Sequence, residues 1–332
     1  MTLLRPFALL CSLLVTPTSL LASELVVYSA RNEQLIKPVF DAYTQATGVK
    51  INFITDKEAP LLTRLQQEGA ASPADLLITV DAGNLWQAAE QGLLQPVDSA
   101  ALEASIPAHL RDPGNRWFGL SVRARTIFFN PNLIKAEQLS TYDALAAPEW
   151  KGKLCLRSSK KVYNQSLVAM MIAAQGEAKT EQVVKGWVAN LATPPFADDT
   201  KLLEAIAAGQ CAVGIANTYY FGRLLNQKPQ LPVSLFWADQ NGAGTHVNIA
   251  GAGITRHAPH RAEAQKLLEW LASPAAQNLF VDANMEYPAN AAVQPAAAVK
   301  AWGDYKANLL NVATAGKLQV DAVRLMDRAG YK

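Results

Sequence analysis

Glu24-Leu25-Val26-Val27-Tyr28-Ser29-Ala30-Arg31-Asn32-Glu33 opens the part of the chain that decides its fold. Glu24 to Ser29 reads as a buried strand. Beyond it Leu35, Ile36, Val39, Phe40 and Tyr43 recur at helical spacing, and Gly48 closes the segment. Pro38 is tolerable only near that helix's first turns. Val49 to Ile54 is a second strand, Leu61 to Gln67 a second helix, and Ala74 to Val80 a third strand ending at Asp81. This β-α-β-α-β alternation predicts an α/β fold with a parallel sheet covered by helices. Ligands of such sheets sit beyond the carboxyl ends of the strands, where Tyr28 to Asn32 and Asp81 fall.

With 332 residues, 50% of them hydrophobic and 17% charged, the chain can bury a substantial core and is expected to form two domains. The formal net charge is +2 with Lys and Arg scattered, so nucleic-acid binding has no support. Arg5 followed by the apolar stretch Phe7 to Val15 reads as an export signal, with cleavage after Ser23. No later stretch reaches the roughly 18 consecutive apolar residues of a membrane helix. The mature protein is therefore expected to be soluble and exported. Cys155 and Cys211 remain in it, each in a short strand-like run, Lys153 to Arg157 and Gln210 to Ala216. Neighbouring strands would allow a disulfide in an oxidising compartment, and two independent buried thiols are the alternative.

Trp117 to Phe129 is a long extended run in which Ser121, Arg123 and Arg125 share one face. Two arginines on an otherwise apolar strand need anionic company, unless the face is a solvated edge. A run of this length suits a hinge between domains. The second half repeats the architecture: a strand at Lys153 to Arg157, then Ser158, Ser159, Lys160 and Lys161 leading into an apolar helix from Ser166 to Ala174. Hydroxyls, lysines and free helix N–H groups there form a candidate anion site. Helices are expected over Thr180 to Leu191 and Lys201 to Ala208, and strands over Leu231 to Ala238 and His246 to Thr255, the latter a candidate returning crossover. Further helices are expected over Ala262 to Ala272, Pro274 to Val281, Trp302 to Leu309 and Val320 to Arg328.

The run Gly214-Ile215-Ala216-Asn217-Thr218-Tyr219-Tyr220 delivers an Asn-Thr pair suited to cap a helix, followed at once by two phenols. With an ordinary pKa of about 10, phenols become good ligands only where a strongly charged cation strips their protons, and ferric iron fits best. The plainer reading is two aromatics packing a helix onto a sheet. There is no Cys-x-x-Cys, His-Glu-x-x-His, Gly-x-Ser-x-Gly or phosphate-binding glycine loop, so zinc, hydrolase and nucleotide chemistry have no motif behind them. His109, His246, His257 and His260 read as surface histidines.

Val27 to Arg31, Ser72 to Asp75, Trp117 to Arg125, Trp150 to Lys153, Val162 to Ser166, Asn217 to Tyr220, Gly251 to Gly253 and Glu286 to Pro288 follow one another in the order of a known family. Read from Glu24 onward, the chain resembles the periplasmic ferric-iron-binding proteins of bacterial ABC importers, the bacterial transferrins, and within them a tyrosine-rich subgroup. The resemblance implies a two-lobed type II binding-protein fold, each lobe a mostly parallel mixed sheet flanked by helices, joined by a two-strand hinge. It implies a lobe of residues 24–124 plus about 247–298 and a second of 125–246 plus about 299–332. Tyr163, Tyr219 and Tyr220 are the implied Fe³⁺ ligands. Arg31 and Arg123 or Arg125 match the family's positions for a synergistic anion such as carbonate, with Ser159 a further candidate. Implied partners are an inner-membrane permease and its ATPase, with the binding protein itself a monomer in the periplasm and not an enzyme.

The chain departs from the family after the first strand, where Asn32 and Glu33 stand in place of a histidine ligand. It departs again after the third, where Val80, with Asp81 beside it, stands in place of a glutamate. Three phenolates neutralise Fe³⁺ and suit a hard cation, so an anion or water would complete the coordination. The same fold carrying thiamine, a polyamine or an oxyanion is one rival reading, and an exported enzyme is another.

Overall fold

The computed structural model describes residues 24–332. The proposed export signal and its cleavage site lie outside these residues. Among the described residues no helix is long and apolar enough to cross a membrane.

The first half of the chain builds β1 (Glu24–Ser29), α1 (Glu33–Thr47), β2 (Lys50–Thr55), α2 (Glu58–Glu68), β3 (Leu76–Thr79), α3 (Ala82–Glu90), α4 (Ala100–Ser105) and β4 (Phe118–Phe129). Strands β2, β1 and β3 pair in parallel, as the alternation predicts, and α1 lays Ile36, Val39, Phe40 and Tyr43 into the core. Pro38 sits inside α1 but within its first two turns. Gly48 ends that helix at φ 76°, a left-handed conformation glycine adopts without strain.

The second half adds β5 (Leu154–Cys155), α5 (Val162–Gln175), α6 (Glu177–Ala189), α7 (Asp199–Ala207), β6 (Val213–Asn217), α8 (Thr218–Gln227), β7 (Ser234–Phe236) and β8 (Val247–Ile254). The chain closes with α9 (Arg261–Ala272), α10 (Pro274–Asn284), β9 (Tyr287–Pro288), α11 (Ala297–Lys300), α12 (Ala313–Lys317) and α13 (Gln319–Arg328). Strands run in the order β2-β1-β3-β8-β4-β6-β5, with β7 and β9 also on β4. The fold is two-lobed. One core gathers around β1, β3, β8 and the first half of β4, and the others around the second half of β4, β5, β6, α5 and α7.

Strand β4 is the hinge element. Phe118 to Ala124 pair antiparallel with β8, and Arg125 to Phe129 pair antiparallel with β6. The returning chain crosses beside it, where the Arg125 N–H donates to the His246 carbonyl at 3.0 Å. The Tyr142 hydroxyl clamps both crossings, accepting from the His246 N–H at 3.0 Å and donating to the Arg125 carbonyl at 2.6 Å. A third link lies behind the cleft, where α12 packs Gly316 so close to Trp86 of α3 that a methyl group on Gly316 would stand 2.5 Å from the Trp86 Cβ.

Cys155 and Cys211 form a disulfide, their Cα atoms 5.9 Å apart, because β5 and β6 are parallel neighbours. Two expectations about the fold fail. Trp302 to Leu309 is not a helix: Gly303 takes φ 84°, and Ala307 instead bridges to Thr245 beside the hinge. His246 is not on the surface but 4% exposed at the hinge. Burial there, with Arg125 and Arg123 adding to it, pushes its imidazole down to about 3, so it is neutral.

Candidate metal centre

The carboxyl ends of β1, β2 and β3 face the amino ends of α5 and α8 across a cavity of about 480 Å³. From the first side come Arg31, Asn32 and Glu33 after β1, residues 55–58 at the junction of β2 and α2, and Val80 after β3. From the second come Lys161, Tyr163, Tyr219, Tyr220 and Arg223, with Arg123 of β4 and Glu286 at the floor.

Strand β6 is buried throughout and ends at Asn217. Asn217 starts α8 without the expected side-chain cap. Its Oδ1 accepts from Arg125 at 3.0 Å and its amide reaches the Tyr219 hydroxyl at 3.5 Å. Tyr219 and Tyr220 then stand side by side, ring centroids 4.4 Å apart and planes inclined by 32°. Tyr163 enters from the first turn of α5, which β5 aims at the same point through its pairing with β6. Both helices present their amino ends to the cavity, and the positive end of a helix favours anionic phenolate.

Cations crowd the three rings. Lys161 lies 4.6 Å and Arg123 5.4 Å from the Tyr163 ring centre, Arg157 5.8 Å from that of Tyr220, and Arg223 5.0 Å from that of Tyr219. Arg157 also donates to the Tyr220 hydroxyl at 3.4 Å. Burial nevertheless dominates at two phenols. It pushes Tyr163 up to about 12, the proximity of Tyr220 adding to the rise and Arg123 opposing it, and it raises Tyr219 well above its ordinary value. Both therefore stay protonated at neutral pH unless a cation displaces the proton. Among the described residues no group of three or more His, Cys, Asp or Glu side chains is placed to hold a metal. A hard-oxygen site built on phenolates is what this donor set fits.

Arg31 and Arg123 both reach the floor of the cavity. Arg31 bonds Ser121 at 3.1 Å and Glu286 at 2.7 Å, and Arg123 donates to the Ile249 carbonyl at 2.8 Å with Glu286 3.9 Å away. Burial pushes the Glu286 carboxyl up, but Arg31 and Arg123 outweigh it and hold it below the ordinary range. Arg125, predicted to share their task, does not line the cavity. The strand changes sheets between Ala124 and Arg125, and the guanidinium turns under β6 to pair with Asp199 at 3.0 Å. Ser159 is also elsewhere, its N–H bonded to the carbonyl of Lys332. Asp81 caps α3 through Gly83 and faces Ser166 and Asn248, leaving Val80 at the cavity wall. Sequence reasoning missed Arg157, Arg223 and the role of Glu286. A buried glutamate before an edge-strand proline carries no signal of which lobe it reaches.

The family model of bacterial extracellular solute-binding proteins matches residues 71–311. The chain is 41% identical over 315 residues to iron uptake protein A1 of Synechocystis sp., covering 93% of this chain and 88% of that protein. Its fold superposes at TM-score 0.90 and 45% identity on a Trichodesmium protein solved in complex with iron and citrate ligands, covering 93% of this chain and all (100%) of that one. It also superposes at TM-score 0.88 and 38% identity on ferric iron-binding protein A of Mannheimia haemolytica in an open conformation, covering 93% and 99%.

Proposed function

The chain belongs to the family of bacterial extracellular solute-binding proteins, and on that premise we propose that it is the periplasmic component of an ABC importer that captures ferric iron. The observation that carries this reading is the meeting of three phenols from two different helices, Tyr163 with Tyr219 and Tyr220, in one cationic cavity between the lobes. In this reading Fe³⁺ is the cargo and displaces the phenolic protons. Three tyrosinates then cancel its charge, and an oxygen donor held by the arginine side of the cleft completes its shell.

Arg157 and Lys161 stabilise the phenolates as they form. Arg31 and Arg123 orient the additional donor, and closing the cleft excludes water from the iron. The lobes that close are residues 24–124 with about 247–298, and 125–246 with about 299–332, bending where Arg125 meets His246. The closed form is what the membrane permease and its ATPase recognise, and the protein acts as a monomer delivered by the signal at residues 1–23. The relatives compared above are solute-binding and iron-uptake proteins, in keeping with a carrier rather than a catalyst.

The test is the visible tyrosinate-to-iron absorption of purified protein titrated with ferric citrate. Tyr219→Phe and Tyr220→Phe are expected to weaken or abolish it and to lower ferric affinity. Unchanged colour and affinity in both would refute the ligand role.

A further inference from the structure

Glu33, Asp56, Glu58 and Glu286 are the acidic side chains that line the cavity, and of these only Glu286 is buried, at 4% exposure. It occupies the anion side of the site. Its Oε2 accepts from Arg31 Nη2 at 2.7 Å and from the Ser121 hydroxyl at 2.7 Å, while Oε1 lies 3.9 Å from Arg123 Nη1. The Ser121 oxygen in turn accepts from Arg31 Nη1 at 3.1 Å. Part of each guanidinium is already engaged within the protein. Arg31 has both terminal nitrogens bonded, Arg123 gives Nη2 to the Ile249 carbonyl, and the Nε atoms of both are sealed from solvent. Arg123 Nη1, 3.9 Å from Glu286, is the terminal nitrogen least engaged by the protein.

The placement of Glu286 is enforced by the backbone. The preceding Met285 adopts φ 55° and ψ 34°, a left-handed conformation uncommon for a side chain of this kind, and the following Tyr287 and Pro288 pair with Val122 and Ser121 of β4. An elbow held on both sides in this way aims the carboxylate at the arginines. Charge then limits what the site accepts. At the floor of the cavity the two guanidiniums and one carboxylate leave a single net positive charge, Lys161 and Arg223 lying against the tyrosine rings, whereas two bare arginines would match a dianion such as carbonate.

We propose that Glu286 is a built-in counter-anion that sets the anion specificity of the site, so that iron is loaded with at most a singly charged external oxygen donor. The inference rests on the ferric reading above and deepens it. Without Glu286 both guanidiniums would be open to an external dianion. With it, that dianion must displace a buried, doubly held carboxylate.

The experiment titrates iron-free protein with inorganic phosphate by calorimetry, comparing wild type with Glu286→Gln. The variant is expected to bind phosphate at least tenfold more tightly. A second arm measures ferric affinity from nitrilotriacetate in carbonate-free buffer and with added bicarbonate. Wild type is expected to change less than tenfold, and the variant to depend on bicarbonate. A gain of less than tenfold in phosphate binding by a folded variant overturns the proposal. If the variant does not fold, a wild-type ferric affinity that rises more than tenfold with bicarbonate overturns it alone, and a smaller change supports it. The phosphate arm uses no iron, so a failure of the ferric reading, seen as colourless wild type, is distinguishable from a failure of this one.

Discussion

The Ser166 hydroxyl lies 3.1 Å from both carboxylate oxygens of Asp81, joining the first turn of α3 in one lobe to α5 in the other. Asp81 also accepts from the Gly83 N–H at 2.7 Å and from the Asn248 amide at 2.9 Å. Removing one donor from a buried carboxylate costs about 1–3 kcal/mol. Ser166→Ala should lower stability by that amount in urea unfolding. A loss below a few tenths of a kcal/mol would show that the link between lobes contributes nothing.

Burial pushes the Asp81 carboxyl from 3.8 up to about 6, against the pull of Arg123, the Gly83 N–H and Ser166 and with Glu58 adding to the rise. The folded state therefore holds a proton that the unfolded chain has already released, so this group's contribution to stability falls as pH rises from about 4 to about 6. Compared with Asp81→Asn, wild type should lose about 2–3 kcal/mol across that window. Parallel stability curves would remove the charge of Asp81 from the account.

Burial pushes Tyr163 up to about 12 and Tyr219 higher than its ordinary value, so iron binding at neutral pH must release their protons. Loading is expected to release about three protons per iron, with apparent affinity falling by up to about three decades per pH unit on acidification. Proton release measured in weakly buffered solution checks this. Release of fewer than about two would leave the phenols uninvolved.

Arg125 and Asp199 form a buried pair, 2% and 0% exposed at their side chains. Arg125→Ala leaves the carboxylate without that partner and should cost about 3–5 kcal/mol. Arg123→Ala, in contrast, should weaken anion binding more than stability. Thermal unfolding and a phosphate titration on both variants separate the two roles, and an Arg125 variant that keeps its stability would contradict its assignment to the core.

Cys155 and Cys211 are 56 residues apart in sequence. Closing a loop of that length stabilises by about 4 kcal/mol in the chain-entropy account. The double Cys→Ser variant should lose about that much. Both sulfur-bearing residues are buried, so reductant should act on wild type only as it unfolds. Rapid reduction of the native protein would contradict that burial.

Much of the fold is legible because period and punctuation agree: the alternation over residues 24–81 gives the parallel strands, and the length of the Trp117–Phe129 run announces a hinge. The tyrosine pair is legible because it follows a buried strand directly. The convergence of Tyr163 on that pair is set by the parallel pairing of β5 with β6, a contact between distant segments that no local spacing encodes. Arg125 illustrates the same limit. The same-face rule for Ser121, Arg123 and Arg125 ignores that β4 leaves one sheet for another between positions 124 and 125. The polar neighbours of His246 suggest a surface residue, but they belong to a crossing that is buried once both lobes are in place.

Strand β8, residues 247–254, lies between β3 and β4 at the heart of the first sheet. No nascent fragment that ends before it can complete that sheet, however long it waits. The amino-terminal body thus stays incomplete until about three quarters of the polypeptide has left the ribosome.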